Sequence, residues 1–444
     1  MESFVNRETA LKYIDDAFIT LQDKKRLLRT PIMDFYGVKG IGKTLFLKKV
    51  QQRCQEEQLR CIWLDASQSN PDRARAIALQ VQQYGVTLPF EDDDDHSPYQ
   101  SASAMRVLLL QREPVVMLCD ALDTNDKDRQ KWLEILLREL TDDENLFVVL
   151  ASRRDLTFEN ERSLARKLTT IPLPPFDRAA CEAYFNAADN PIEPEIRTII
   201  FTWTRGYPLA LNIMTQAVAS GLDPHKEQDQ KEIITLLTDQ VLRQSLLARV
   251  DPAEQNRYLT ILSLLSIPRH SNLVIMQDLI EQFAPQLKRE NSLAYFGLPR
   301  EINQTTEVLH WNINGAGFSV DAPVRALFLL KLRIEQPEMY YAIHRFLAQT
   351  NRQWAADVSG IDQVRYLREY LYHGVCSADP ATLGQFLTAT VQEIAEKFPD
   401  SLTPLLEEIA QDDEFKELLG AHLHKVESLM QKNIVTRTDY LPEG

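Results

Sequence analysis

The chain has 444 residues, of which 44% are hydrophobic and 25% charged, ordinary values for a globular protein with a sizeable core. Its length predicts about three or four compact units. The formal net charge of −15 excludes a protein built mainly to coat nucleic acid, because neutralising phosphates takes a basic footprint, although a local basic face stays open.

In chain order, Leu11, Ile14, Phe18 and Leu21 form a helical stripe between Glu8 and Leu28. Pro31 to Tyr36 reads as a short, mostly apolar strand, and the eight residues after it are the most informative in the chain. Gly37-Val38-Lys39-Gly40-Ile41-Gly42-Lys43-Thr44 fits the phosphate-loop pattern G-x-x-x-x-G-K-[ST] with no mismatch, and Leu45 opens a helical pattern with Leu47, Val50 and Cys54 on one side. Strand, Gly-rich turn and helix are the setting in which backbone N–H groups curl around a triphosphate at a helix N-terminus. Lys43 is placed to reach the β- and γ-phosphates and Thr44 to hold Mg²⁺, so the loop predicts a nucleoside triphosphate with Mg²⁺, bound by residues 37 to 45.

Cys61 to Asp65 is a second strand, followed by helical patterning from Asp72 to Tyr84. The acidic run Glu91 to Asp95 reads as a solvated loop. Pro114 to Asp120 and Leu146 to Ala151 are continuous apolar strands, as suits a sheet covered on both faces, with a helix near Arg129 to Leu140 between them. Ile171-Pro172-Leu173 supplies a fifth strand. The expectation is an α/β P-loop core with a parallel five-stranded sheet, over residues 1–176. Asp120 ends a buried strand about 75 residues after Lys43, where a second Mg²⁺ ligand is expected, usually acting through water. Ala121 follows it, so the base for hydrolysis is unassigned; Asp123 is a candidate, with a surface or helix-capping role equally open. Arg153, at the end of the next strand, could meet a γ-phosphate bidentately, against the alternative of an ordinary surface arginine pair with Arg154.

Beyond Phe176 helices dominate. Residues 177–245 are expected to form an all-α lid, 246–335 a winged helix with its third helix at Lys288 to Tyr295 and its hairpin at Val308 to Val320, and 336–444 a short C-terminal helical domain. Tyr340, Tyr341, Trp354, Tyr366, Tyr370 and Tyr372 read as packing for helical hairpins rather than base-stacking platforms. No apolar run reaches the ~20 residues that cross a bilayer, the N-terminal residues lack signal-peptide order, and five cysteines without C-x-x-C spacing read as reduced packing residues. A cytoplasmic protein with no membrane partner is expected.

Four blocks resemble the STAND class of signal-transduction NTPases, relatives of AAA+ proteins with NB-ARC- or NACHT-like cores: Phe4-Val5-Asn6-Arg7-Glu8, Phe35 to Thr44, the strands ending at Asp120 and Ser152-Arg153, and Gly206-Tyr207-Pro208-Leu209-Ala210-Leu211. The resemblance implies that Val5 and Arg7 lie against the adenine, Arg153 senses the γ-phosphate and Pro208 touches the base from the lid. It implies ATP or ADP with Mg²⁺ as the ligands of a bacterial switch in a regulatory or defence setting, and a winged helix after the lid; slow hydrolysis is expected from Ala121 after Asp120. Asn6 replaces the usual glycine, and Asp321 stands where many members place a phosphate-holding histidine, which puts an ADP-locked resting state in doubt. With no effector expected before Phe4 and about 105 residues after the winged helix, the partner expected is a separately encoded effector or sensor protein, with nucleotide-dependent homo-oligomerisation open. Two other readings stay open: a winged-helix DNA-binding regulator gated by ATP, resting on Lys288-Arg289, and a scaffold that binds ATP without hydrolysing it.

Overall fold

The computed structural model describes residues 7–23, 27–88, 97–122, 126–158, 161–187, 192–311 and 317–438. Val5, the rest of the Phe4-Val5-Asn6 opening, the acidic run Glu91 to Asp95, Asp123 and the Gly315-Ala316 turn lie outside the described residues. The chain forms two compact units. The first is Met1–Leu259 with Phe296–His310 and Asp321–Leu327; the second is Thr260–Tyr295 with Trp311–Val320 and Phe328–Gly444.

In the first unit, α1 (Glu8–Gln22) precedes β1 (Ile32–Tyr36), α2 (Lys43–Glu56), β2 (Arg60–Asp65), α3 (Asn70–Gln83), α4 (Pro98–Leu109), β3 (Val115–Leu122), α5 (Lys127–Leu140), β4 (Leu146–Ser152), the short α6 (Arg162–Ala165) and β5 (Leu168–Pro172). The strands form one parallel sheet in the order β2-β3-β4-β1-β5. This is the five-stranded α/β core expected from the sequence. Parallel strands put all their carboxyl ends on one edge, so the turns after β1, β3 and β4 share that edge. Val115 to Cys119 on β3 and Leu146 to Ala151 on β4 are all buried, which is why their hydrophobicity does not alternate.

Near its end β3 carries a bulge. Cys119 pairs with Leu150 and Leu122 with Ser152, so Asp120 and Ala121 oppose a single residue of β4. Ala121 takes the left-handed backbone, φ +57°, that lets the extra residue fit. The apolar run predicts a strand that stops at Asp120; the bulge carries it two residues further.

Helix α4 has no counterpart among the elements expected from sequence. Its signal is present nonetheless: Ser97 caps it by accepting from the Gln100 N–H at 3.3 Å, Pro98 starts it, and Ala102, Met105, Leu108 and Leu109 line one buried face. After the sheet come α7 (Arg178–Ala187), α8 (Pro194–Thr204), α9 (Pro208–Ala219), α10 (Glu227–Leu237) and a π-helical stretch, Thr238–Leu246. These make the all-α lid, to which α10 and the π-helical stretch are additions.

The winged-helix region contains α11 (Pro252–Leu265), α12 (Leu273–Phe283), α13 (Leu298–Thr306), the strands β6 (Leu309–Trp311) and β7 (Phe318–Val320), and α14 (Ala322–Glu335). One expectation fails here. Lys288 to Tyr295 is not the third helix; only a 3-10 turn, Ser292–Tyr295, forms, and α13 starts after Gly297. Buried Tyr295 accepts the Arg289 N–H at 3.1 Å, which holds this stretch as a loop, while Pro299 in the first turn favours the later start.

The second unit ends in α15 (Pro337–Asp357), α16 (Ile361–Ser377), α17 (Leu383–Lys397), α18 (Leu402–Gln411), α19 (Asp413–Leu419) and α20 (Leu423–Thr438). Helices α15 and α16 form a hairpin, with the Trp354 and Tyr366 rings 5.3 Å apart between them, so these aromatics pack helices as expected. Among the described residues, no helix is long and apolar enough to cross a membrane.

Candidate functional site

The phosphate loop leaves β1 at the carboxyl edge and runs into α2. Gly40 and Gly42 sit at φ +87° and +96°, conformations that side chains rarely adopt. Gly42 is the N-cap of α2, and Phe46 anchors that helix with its ring 4.5 Å from Phe35 of β1. The first-turn N–H groups of Lys43, Thr44 and Leu45 have no partner within the helix, and both Thr44 and Leu45 are exposed. Val38 and Ile41 are buried and brace the loop from below. Lys43 Nζ donates to the carbonyl oxygens of Gly37 at 2.6 Å and Val38 at 3.1 Å, so it arches back over its own loop.

Arg7 is buried and reaches the loop from the start of α1. Its guanidinium donates to Ile41 O at 2.8 Å and Pro174 O at 2.6 Å and lies 5.1 Å from the Phe176 ring centre. Burial lowers its pKa to about 10. Arg7 therefore ties the loop to the segment leaving β5.

The lid meets the same loop. Gly206 has φ +70°, and an added Cβ would stand 1.9 Å from Phe176 O, so only glycine fits. The Phe176 N–H donates to Gly206 O at 2.9 Å. That contact sets the start of α9: the buried Tyr207 hydroxyl donates to Lys39 O, Pro208 opens the helix, and Leu209 packs where a Cβ on Gly40 would be, 2.9 Å away. Lys39 Nζ donates to Ser245 O at 2.7 Å, a second bond between loop and lid. The block Gly206 to Leu209 is expected to act through Pro208; its hydrogen bond to the loop comes from the neighbouring Tyr207.

Asp120 is buried at the β3 bulge, where its Oδ1 accepts the Ala121 N–H at 2.8 Å. Arg153 leaves β4 and forms an ion pair at 2.7 Å with Glu307, whose side chain is 1% exposed. Arg154 hydrogen-bonds Asn303 Oδ1, Leu309 O and, at 3.3 Å, Glu307 O. Asp321, which stands where the resemblance places a histidine, has its carboxylate against His310 Nε2. A histidine does reach this spot, but from β6.

Asp34 belongs to the site although no sequence motif includes it. It is fully buried in β1, its Oδ2 accepting from Ser152 Oγ at 2.7 Å and the Leu156 N–H at 3.1 Å, while Oδ1 has no partner. Burial raises its carboxyl to about 7, against the opposing effect of those two hydrogen bonds. The signal in the sequence is an acid inside an otherwise apolar strand.

These charges act on one another. Burial pushes Lys43 down to about 8; Arg153 adds to that shift, and Asp120, Glu307 and Asp34 oppose it. Lys39 is lowered by burial and then by Arg153 and Arg249. The structure thus brings Lys39, Lys43, Asp120 and Arg153 to one edge, with Tyr207 and Pro208 beside them. A hydroxyl on Thr44 and a carboxylate on Asp120 are the hard oxygen donors that suit Mg²⁺.

The fold and loop define a P-loop α/β protein with an AAA+-like sheet, a helical lid and a winged helix. The chain matches no family model and no curated protein. Among solved structures it is similar to Cdc6p from Pyrobaculum aerophilum, with 14% identity over 76% of this chain and 97% of that one, at a TM-score of 0.39. It is similar to a STAND protein with a tetratricopeptide repeat sensor from Pyrococcus horikoshii, with 16% identity over 100% of this chain and 59% of that one, at 0.36. AMPPCP-bound DnaA from Aquifex aeolicus shares 13% identity over 68% of this chain and 91% of that one, at 0.35. The fold assignment rests on the strand topology and the loop.

Proposed function

We propose that this protein is an ATP-binding switch of the STAND kind, in which Mg-ATP at the phosphate loop biases the lid and winged-helix segments packed against it. The observation that carries the reading is the group of cations at the loop's mouth. Lys39 and Lys43 are lowered by burial and then by the neighbouring Arg153, above a helix N-terminus whose N–H groups favour an anion. In this reading Lys43 meets the β- and γ-phosphates and Arg153 the γ-phosphate. Thr44 and Asp120 would hold Mg²⁺, which supplies charge neutralisation on the phosphoryl oxygens. Arg7 positions the loop, with Val5 assigned to the base. Pro208 starts the helix by which the lid reads the nucleotide.

Hydrolysis is expected to be slow, because Ala121 follows Asp120 and leaves the attacking water without an adjacent carboxylate. The same residue supports a second reading, a scaffold that binds ATP without turnover. Phosphate release from purified protein separates the two, and brisk multiple turnover would count against both. Calorimetric titration with ATP tests the site itself: Lys43→Ala should abolish binding, and an unchanged affinity in that variant would sink the assignment.

Output is assigned to a separately encoded effector or sensor protein engaging the C-terminal helices, with a cytoplasmic, bacterial regulatory or defence setting as the context. Mass measurement with ADP and then a non-hydrolysable ATP analogue tests nucleotide-driven assembly. Nucleic acid is the less favoured partner: Lys288 pairs with Glu281 at 3.0 Å and, with Arg289, sits in a loop rather than on a presented helix. A salt-dependent DNA shift would reverse that preference.

A further inference from the structure

Glu307 is an acid in an unfavourable place. It follows the last turn of α13, where the backbone turns left-handed at φ +56°, a position that glycine usually fills. The C-terminus of a helix repels negative charge, and here the carboxylate is also buried. Two arginines from the end of β4 offset these costs. Arg154 binds backbone, taking Glu307 O and Leu309 O together with the Asn303 side chain. Arg153 is paired with the carboxylate itself, at 2.7 Å. Leu309 N–H also donates to Asn303 Oδ1, at 3.0 Å, so residues 303 to 309 are held as one piece on β4.

Arg153 follows Ser152, whose carbonyl accepts the Gly37 N–H at 3.2 Å where the phosphate loop begins, so the residue paired with Glu307 stands next to the loop's first residue on the sheet edge. We propose that Glu307 is an internal competitor for Arg153, its carboxylate holding the guanidinium that a γ-phosphate would otherwise engage. This rests on the ATP reading above and deepens it. A triphosphate that captures Arg153 takes that cation away from the buried Glu307 carboxylate, so residues 303 to 309 must shift. A diphosphate lacks the group that reaches Arg153 and leaves the pair intact. The ion pair would thus convert the difference between ATP and ADP into movement of the segment that opens the wing.

The test is calorimetric binding of ADP and a non-hydrolysable ATP analogue to the full chain. Glu307→Gln should tighten the analogue about tenfold, since a competing state is removed, and change ADP by less than about twofold. Adding Arg153→Ala to that variant should cancel the gain. Should Glu307→Gln fold poorly, Asn303→Ala loosens the same segment from its other side and should favour the analogue over ADP in the same direction. Hydrogen exchange gives an independent readout: the analogue, but not ADP, should speed exchange of the Leu309 amide in the unmodified protein. A wild-type protein that binds both nucleotides, with an analogue-to-ADP ratio unchanged by Glu307→Gln, would overturn the competition and leave the ATP site standing. No binding of either nucleotide to any form would overturn both.

Discussion

Two buried groups of charges, one in each compact unit, are built on opposite principles. In the second unit Arg269 donates to both oxygens of Glu369, at 2.7 and 3.1 Å, and pairs with Asp412, while Tyr372 stacks 4.2 Å from its guanidinium. Burial works against the Arg269 charge, yet Glu369 and Asp412 outweigh it and raise its pKa. Glu369 is lowered for the same reason: Arg269 and Arg368 overcome the effect of its burial. Each charge is stabilised by its neighbours. At the phosphate loop the balance runs the other way, since Lys43, Lys39, Arg154 and Arg7 are all lowered, by burial first. A self-neutralised cluster holds helices together. A cluster left with excess positive charge is prepared for an anion, and perturbed groups at a sheet's carboxyl edge are where binding is expected.

That contrast can be broken at either end. The largest effect should come from Arg269→Ala, which leaves two buried carboxylates without this cation and should cost about 3–5 kcal/mol of stability in chemical denaturation. ATP affinity of the folded protein should stay within about twofold. Lys43→Ala should do the reverse, weakening ATP at least ~100-fold while leaving stability level or slightly raised, because a desolvated charge is removed. A large loss of stability in Lys43→Ala would mean that the loop cations are structural after all.

Asp34 sharpens the comparison through pH. Its folded carboxyl titrates at about 7, against about 3.9 when unfolded. Between those values the native state keeps a proton that the unfolded chain has released, so this group lowers stability as pH rises from ~4 to ~7. Asp34→Asn should flatten that slope and gain on the order of 2 kcal/mol at pH 8, with little change at pH 4, read from denaturation midpoints. The smallest effect concerns Lys43, whose folded pKa of about 8 lies below its unfolded value. As pH rises above ~8 the free ammonium is lost and ATP affinity should fall by up to about tenfold per unit, with proton uptake on binding. Calorimetry in buffers of different ionisation enthalpy measures that uptake; none at pH 8.5 would remove Lys43 from the phosphate contact.

Much of the fold is legible in the residues alone, but unevenly. The strands stand out because apolar runs this short, bounded by turn residues, suit a buried strand and are too brief for a buried helix. Helix α4 is obscured by the acidic loop before it, although Ser97-Pro98 marks its start. The third helix of the winged-helix region is expected too early because Lys288 to Tyr295 has acceptable helical spacing, and the bond between Tyr295 and the Arg289 N–H cannot be seen in a pattern. Asp34 is visible as an anomaly without a purpose.

By itself the sequence determined the phosphate loop, since Gly40 and Gly42 must take positive φ and Lys43-Thr44 must follow them at the helix start. It also determined four of the five strands through local hydrophobicity; the fifth is expected at Ile171 to Leu173 but runs from Leu168 to Pro172, with no buried residue to mark it. The tertiary structure decided which side chains share the loop's mouth. Tyr207, Arg7 and Glu307 are separated in sequence from the groups they touch by 168, 34 and 154 residues. No local periodicity encodes such distances; only the packing of lid, strand end and α13 onto one sheet edge sets them.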